Sequence, residues 1–196
     1  MKNTIKIAAV AVAAVLVISS CAKQPSGEID AAKAAIQAIV DAKGDVYAKD
    51  ELKKLNDDMQ AALDGINTQS KKFFKKYGAS KETLAKIVAD AEAVKTLIPG
   101  RIEEAKAAAE MAVNDAKTAW DEAKALLEKA PKGKGTQADI AAMKADLDGL
   151  EAALSEAMTD FDAEDYVGAG EKAAAIKATA VGISDQIKAA MAKVRR

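Results

Sequence analysis

Cys21 is the one thiol in this chain of 196 residues, and no histidine accompanies it. A cysteine acts as a nucleophile through its thiolate, and histidine is the usual partner that takes the proton. The chemistry open to Cys21 is therefore set by what precedes it rather than by a catalytic partner. Lys2 and Lys6 give a short basic start, the apolar run Ile7 to Ile18 follows, and Ser19 and Ser20 place small residues before the cysteine. That succession is the layout of an export signal. As a helix the run rises only ~18 Å, against ~30 Å of bilayer hydrocarbon, so it reads as a removable signal peptide over residues 1–20 and not as a retained membrane span.

The tetrapeptide Ile18-Ser19-Ser20-Cys21 resembles the lipobox of bacterial lipoproteins. The resemblance implies cleavage between Ser20 and Cys21, a diacylglycerol on the Cys21 thiol, and an acyl chain such as palmitate on the new amine. The sequence departs from the commonest pattern, which has Leu first and Gly or Ala before the cysteine. Ala22 is not Asp, and by resemblance to the enterobacterial sorting rule the product is expected at the outer membrane. The chain ends Lys193-Val194-Arg195-Arg196; some murein-linked lipoproteins end in Lys, and the terminal Arg argues against that linkage. The plainer alternative is an ordinary secreted protein with a stray thiol.

Composition narrows the rest. The chain carries 29 basic and 30 acidic side chains, and loss of residues 1–20 removes two lysines and no acid, so no basic excess exists to hold a nucleic acid. One cysteine forms no internal disulfide, so stability rests on packing. Without histidine, and with Cys21 acylated, the common nucleophile and base pairs are missing, and no Gly-x-Ser-x-Gly elbow, phosphate loop or dinucleotide fingerprint is found. An enzyme is not expected, and neither is a cofactor or metal. Asp160, Asp162, Glu164 and Glu171 do fall at positions one, three, five and twelve of a calcium-loop spacing. Asp165 stands where that loop needs glycine, so capping and solvation are the expected roles of these acids. No pair of carboxylates has the aromatic-lined setting of a glycosidase.

Two other features stand out. Lys71-Lys72-Phe73-Phe74-Lys75-Lys76-Tyr77 is the densest basic and aromatic stretch and reads two ways: as a surface for anionic lipid or glycolipid, or as a helix C-terminus whose Phe73 and Tyr77 continue a core seam while lysines meet the macrodipole. The second reading is the simpler, and Phe74 is the residue it explains least. Trp120, flanked at seven residues by Val113 and Leu127, forms an apolar ridge that serves either the core or a partner helix.

These residues sit in a helical chain. Ala, Lys, Glu, Asp and Leu dominate, and aromatics reach only 4%, a helical-bundle composition. Leu52, Leu55, Met59, Ala62, Ile66 and Phe73 trace a heptad seam, and Ile140, Met143, Leu147, Leu150, Leu154 and Phe161 trace another 88 residues on. Leu84, Ile87, Ala91, Val94 and Ile98 match Ala173, Ile176, Ala180, Ile183 and Ile187 at a spacing of 89, as Tyr77 matches Tyr166. Either an internal duplication or a shared helical period produces this agreement. Breaks are expected at Gly44, at Tyr77-Gly78 with Ser80 as the next cap, at Pro99-Gly100, and at the Pro131–Gly135 loop, with a weaker break over Asp160–Asp165 that has neither Gly nor Pro. The fold expected is all-α: an antiparallel up-and-down bundle of about six helices. Two three-helix units at 28–98 and 101–194, behind a lipid-proximal tether at 21–27, are preferred to one elongated bundle. Alanine at Ala105, Ala109, Ala116, Ala123 and Ala130 allows close helix approach with little area buried per contact.

Tyr47-Ala48-Lys49-Asp50-Glu51-Leu52, following an Ala-rich stretch, is similar to alanine-rich bacterial envelope lipoproteins of unknown function that carry Tyr-Ala-Pro-x-Glu-Leu. Lys49 replaces the proline, which would have suited a first helical turn. The resemblance spans about residues 28–66, is echoed at Asp165-Tyr166, and implies a helical envelope protein with no reaction attached. The function expected is that of a lipid-anchored scaffold or protein-interaction module, with the membrane held through Cys21 and an unknown envelope protein or lipid as partner. The alternative is a carrier that shelters an apolar ligand among loosely packed helices.

Overall fold

The computed structural model describes residues 23–130 and 137–194. Cys21, Ser20, the loop after Ala130 and the Thr136 cap lie outside the described residues. The protein is an all-α helical bundle with six helices among the described residues: α1 Ser26–Asp41, α2 Gly44–Tyr47, α3 Lys49–Ser70, α4 Gly78–Glu128, α5 Gln137–Asp162 and α6 Tyr166–Val194. The chain divides into two compact units, one ending at Pro99 and one beginning at Gly100.

In the first unit, α1 buries Ile29, Ala32, Ala35, Ile36 and Ile39, and α3 buries Leu55, Met59, Ala62 and Ile66. The first part of α4 contributes Leu84, Ile87, Ala91, Val94 and Ile98, each 8% exposed or less. These positions recur at three- and four-residue steps, so each helix offers one apolar stripe to the others. The turn from α1 into α2 runs through Lys43, whose φ of 67° is left-handed. Gly44 is buried there, and a Cβ on it would run into the side chain and the backbone carbonyl of Ile39. Only glycine fits that approach. Lys49 is the first residue of α3, the position at which proline is well tolerated.

In the second unit three layers stack along the bundle. Ala109 meets Tyr166 and Ala169; Ala116 meets Leu154, Ala157, Ala173 and Ile176; and Ala119, Ala123 and Ala130 meet Leu147, Ala180, Ile183 and Ile187. Numbers rise along α4 and α6 and fall along α5, so α5 runs antiparallel to both. The expected alanine seam is buried at Ala109, Ala116, Ala123 and Ala130, and Ala105 is half-buried.

Several boundaries differ from those read in the sequence, among them the start of α4, which is Gly78 and leaves Ser80 inside the helix. Pro99-Gly100 does not stop a helix: Pro99 lies inside α4. An interior proline costs about 3 kcal/mol. Against it stands an apolar register that runs unbroken through the break, with Leu84, Ala91, Ile98, Ala105, Ala112 and Ala119 each seven residues apart and all buried or half-buried. Fully burying a side chain of the size of Leu84 or Ile98 is worth about 1.5–3 kcal/mol, so these two, with the smaller contributions of the alanines, offset one missing hydrogen bond. Pro99 itself faces outward. Two expected helices thus merge, and the four-residue α2 keeps the number at six.

Another is the end of α3, at Ser70 instead of Tyr77. A further one is the junction of α5 and α6, which is sharp despite having no Gly or Pro. Glu164 adopts φ 63°, its N–H reaches the Phe161 carbonyl at 3.0 Å, and the Asp165 N–H reaches the Asp160 carbonyl at 2.9 Å. That is a Schellman ending with glutamate in the place usually held by glycine. Asp165 then caps α6, its Oδ1 accepting from the Gly168 N–H at 3.0 Å. At the other end, α1 begins at Ser26 and Pro25 is buried, so the stretch available as a free tether is shorter than residues 21–27.

Candidate functional site

The segment Lys71–Lys76 is the chain's most distinctive surface. Because α3 stops at Ser70 and α4 starts at Gly78, these residues form a non-helical connection in which Lys71, Lys72, Lys75 and Lys76 are all exposed. Phe73 is 89% exposed and Phe74 63% exposed. Their rings touch edge to face, centroids 5.0 Å apart. Tyr77 alone turns inward, at 3% exposure, and its carbonyl accepts from the Lys81 N–H at 2.9 Å to begin α4. The core-seam reading of this stretch is therefore corrected: Tyr77 is core, and Phe73 is not. The helix ends before Phe73 can reach the seam, which had already lapsed at the half-buried Gln69.

The matched segment of the second unit shows what Phe73 would otherwise do. There α5 continues to Asp162, and Phe161 packs edge-on against Tyr166 with centroids 5.2 Å apart. The charge is also reversed. Four lysines surround Phe73 and Phe74, whereas Asp160, Asp162, Glu164 and Asp165 surround Phe161. Three of those acids have structural work: Asp160 accepts from the Lys172 ammonium at 2.7 Å, which together with its charge holds the Lys172 pKa above the ordinary 10.5. Glu164 makes the left-handed turn and Asp165 the cap. Among the described residues no three acidic side chains are grouped to hold a metal.

The position of the Lys71–Lys76 connection follows from the first unit's own geometry. Glu28, in the first turn of α1, pairs with Lys81, in the first turn of α4, at 2.6 Å. The starts of α1 and α4 are therefore side by side, and the connection that delivers the chain into α4 lies at that same end. Lys23, just ahead of α1, is exposed. The unit thus gathers its incoming chain, two bare phenyl rings and a run of lysines at one end.

Trp120 belongs to the second unit and is half-buried. Its indole N–H donates to the Leu147 carbonyl at 2.9 Å, and the Lys124 ammonium lies 4.4 Å from the ring centroid. Trp120 and Leu127 pack against the layer around Leu147 and Ile183, while Val113 joins the layer around Leu154. The ridge is part of the bundle, and Trp120 also walls a cleft of about 270 Å³ between α4 and α5. Leu127, Ile140 and Leu147 supply its apolar lining, with Lys124, Lys144 and Asp148 at the rim. The sequence hid this cleft because its two walls lie more than ten residues apart and belong to different helices.

No helix among the described residues is long and apolar enough to cross a membrane. No family model matches the chain, and no curated protein or solved structure is found to be similar to it.

Proposed function

We propose that this chain is a lipid-anchored, non-catalytic protein of the cell envelope, a helical scaffold or protein-interaction module held in the outer membrane by acyl chains on Cys21. The observation that carries the reading is the succession Lys2, Lys6, Ile7–Ile18, Ser19-Ser20, Cys21. Two or more acyl chains hold a protein stably on a bilayer, at about 0.8 kcal/mol per buried methylene. Three residues lie between Cys21 and the buried Pro25, and at ~3.3–3.6 Å per residue the chain can span at most ~15 Å between the two. A short leash of this kind suits a protein whose task is to be positioned at a surface.

Replacement of Cys21 with Ser is expected to abolish metabolic labelling by radioactive palmitate and to move the protein from the membrane to the soluble fraction. Retention of the variant in the membrane fraction defeats the anchor.

The Trp120 cleft favours a second reading, in which the bundle carries a small apolar group. Ligand pockets commonly measure about 300–1,000 Å³, so a cleft of about 270 Å³ suits a ring or a short chain and not a whole phospholipid. Organic extraction of the purified protein followed by mass spectrometry tests it, and an extract empty of any stoichiometric compound removes the carrier.

A further inference from the structure

We propose that the Lys71–Lys76 connection is a second membrane contact, in which Phe73 and Phe74 enter the interface of an anionic bilayer while Lys71, Lys72, Lys75 and Lys76 hold the phosphate headgroups. Three independent features of the first unit lead there. The phenyl rings are the two most exposed phenylalanines, and a pair of adjacent exposed rings is costly to keep in water. Lys71, Lys72, Lys75 and Lys76 are all exposed and form no ion pair among the described residues, so their charge is available to an external anion. Of the acids near that end, Glu28 is engaged by Lys81, and the exposed Asp30 and Glu82 leave the four lysines of the connection in excess.

Location supplies the fourth argument. The pairing of Glu28 with Lys81 puts this connection at the end where the chain enters α1, and only three residues of sequence lie between Cys21 and Pro25 at that entry. A bilayer that holds the acyl chains faces the two phenyl rings first. The matched segment of the second unit tucks its ring against Tyr166 and is acidic, so the first unit differs from its own counterpart in both properties that an anionic surface selects. Interfacial binding of this type adds apolar insertion to charge attraction, and each lysine near an anionic surface strengthens attachment roughly five-fold.

The inference takes its membrane setting from the anchor reading, and its test is arranged to stand without it. Residues 21–196 carrying Cys21→Ser retain every described helix and have no site for acylation. This protein is incubated with vesicles of phosphatidylethanolamine and phosphatidylglycerol, and separately with phosphatidylcholine vesicles, and the bound fraction is measured by co-sedimentation. Binding to the anionic vesicles is expected, weakening with added salt, with little binding to the neutral ones. Replacing the four lysines with Gln is expected to lower the partition coefficient by roughly 100-fold or more. Phe73→Ser with Phe74→Ser is expected to lower it roughly 10-fold or more. Both variants alter only exposed side chains, and unchanged helical dichroism confirms that they are folded.

Absence of binding to anionic vesicles, or equal binding by the parent and both variants, overturns the inference. Self-association through the rings, seen as a dimer that the phenylalanine double variant abolishes in the absence of vesicle binding, overturns it too. Vesicle binding in a protein whose Cys21 takes no acyl label leaves the inference standing and removes the anchor.

Discussion

Phe161 stands edge-on to Tyr166 with ring centroids 5.2 Å apart, while the matched Phe73 meets the ring of Phe74 and faces solvent. One residue type at two positions matched by spacing therefore serves packing in the second unit and surface in the first. Phe161→Ala is expected to destabilise the fold by about 1–2 kcal/mol, through lost burial and ring contact. Phe73→Ala is expected to change stability by less than about 0.5 kcal/mol. Urea denaturation followed by dichroism measures both, and equal effects would contradict the two placements.

Continuity of α4 through Pro99 carries its own expectation. In a helix interior the missing N–H and the ring's contact with the carbonyl of Lys95 are costs that alanine does not bear. Pro99→Ala should stabilise the protein by about 1–2 kcal/mol, once the proline's smaller unfolded-state entropy is set against the gain. A helix that ended at Ile98 would give no gain, or a loss.

Trp120 offers a separable hydrogen bond. Trp120→Phe keeps most of the apolar area and removes the indole N–H that reaches the Leu147 carbonyl. Because that carbonyl lies within α5, the expected cost is that of one net hydrogen bond, about 0.5–1.5 kcal/mol. Trp120→Ala also opens the layer around Leu147 and should cost about 2–4 kcal/mol. Chemical denaturation of the two variants separates the contributions.

The Glu28–Lys81 pair makes stability depend on pH on the acid side. The hydrogen bond from Lys81, and then the Glu28 backbone N–H, lower the Glu28 pKa below its ordinary 4.5. A carboxyl with a depressed folded value stabilises the native state above its unfolded pKa and loses that effect as pH falls through the folded value. The stability difference between the parent and Glu28→Gln should therefore be constant above about pH 6 and shrink below 4.5. Both groups are substantially exposed, so the difference is small and should weaken further in high salt. Midpoints of urea unfolding at a series of pH values check the sign.

Much of the architecture could be read from residue order. The seams of α3, α5 and α6 are visible as three- and four-residue steps, and nearly all their members are buried or half-buried, because a helix must turn its apolar stripe toward something. The functional candidates were less legible. Lys71–Lys76 is conspicuous by composition, yet its lysines read most simply as a helix end, and only the stop at Ser70 shows that Phe73 and Phe74 lie on an exposed, non-helical connection. The Trp120 cleft needs α4 and α5 side by side, and no local pattern encodes that.

Sequence alone determined the helical class and the apolar stripes, since these depend on residues close together along the chain. Tertiary structure decided whether Pro99 breaks a helix, which of two matched phenylalanines is buried, and which end of the first unit gathers the lysines. Each of these is a balance between a local preference of a few kcal/mol and the burial of surface supplied by distant segments. Such a balance has no value until the segments have met.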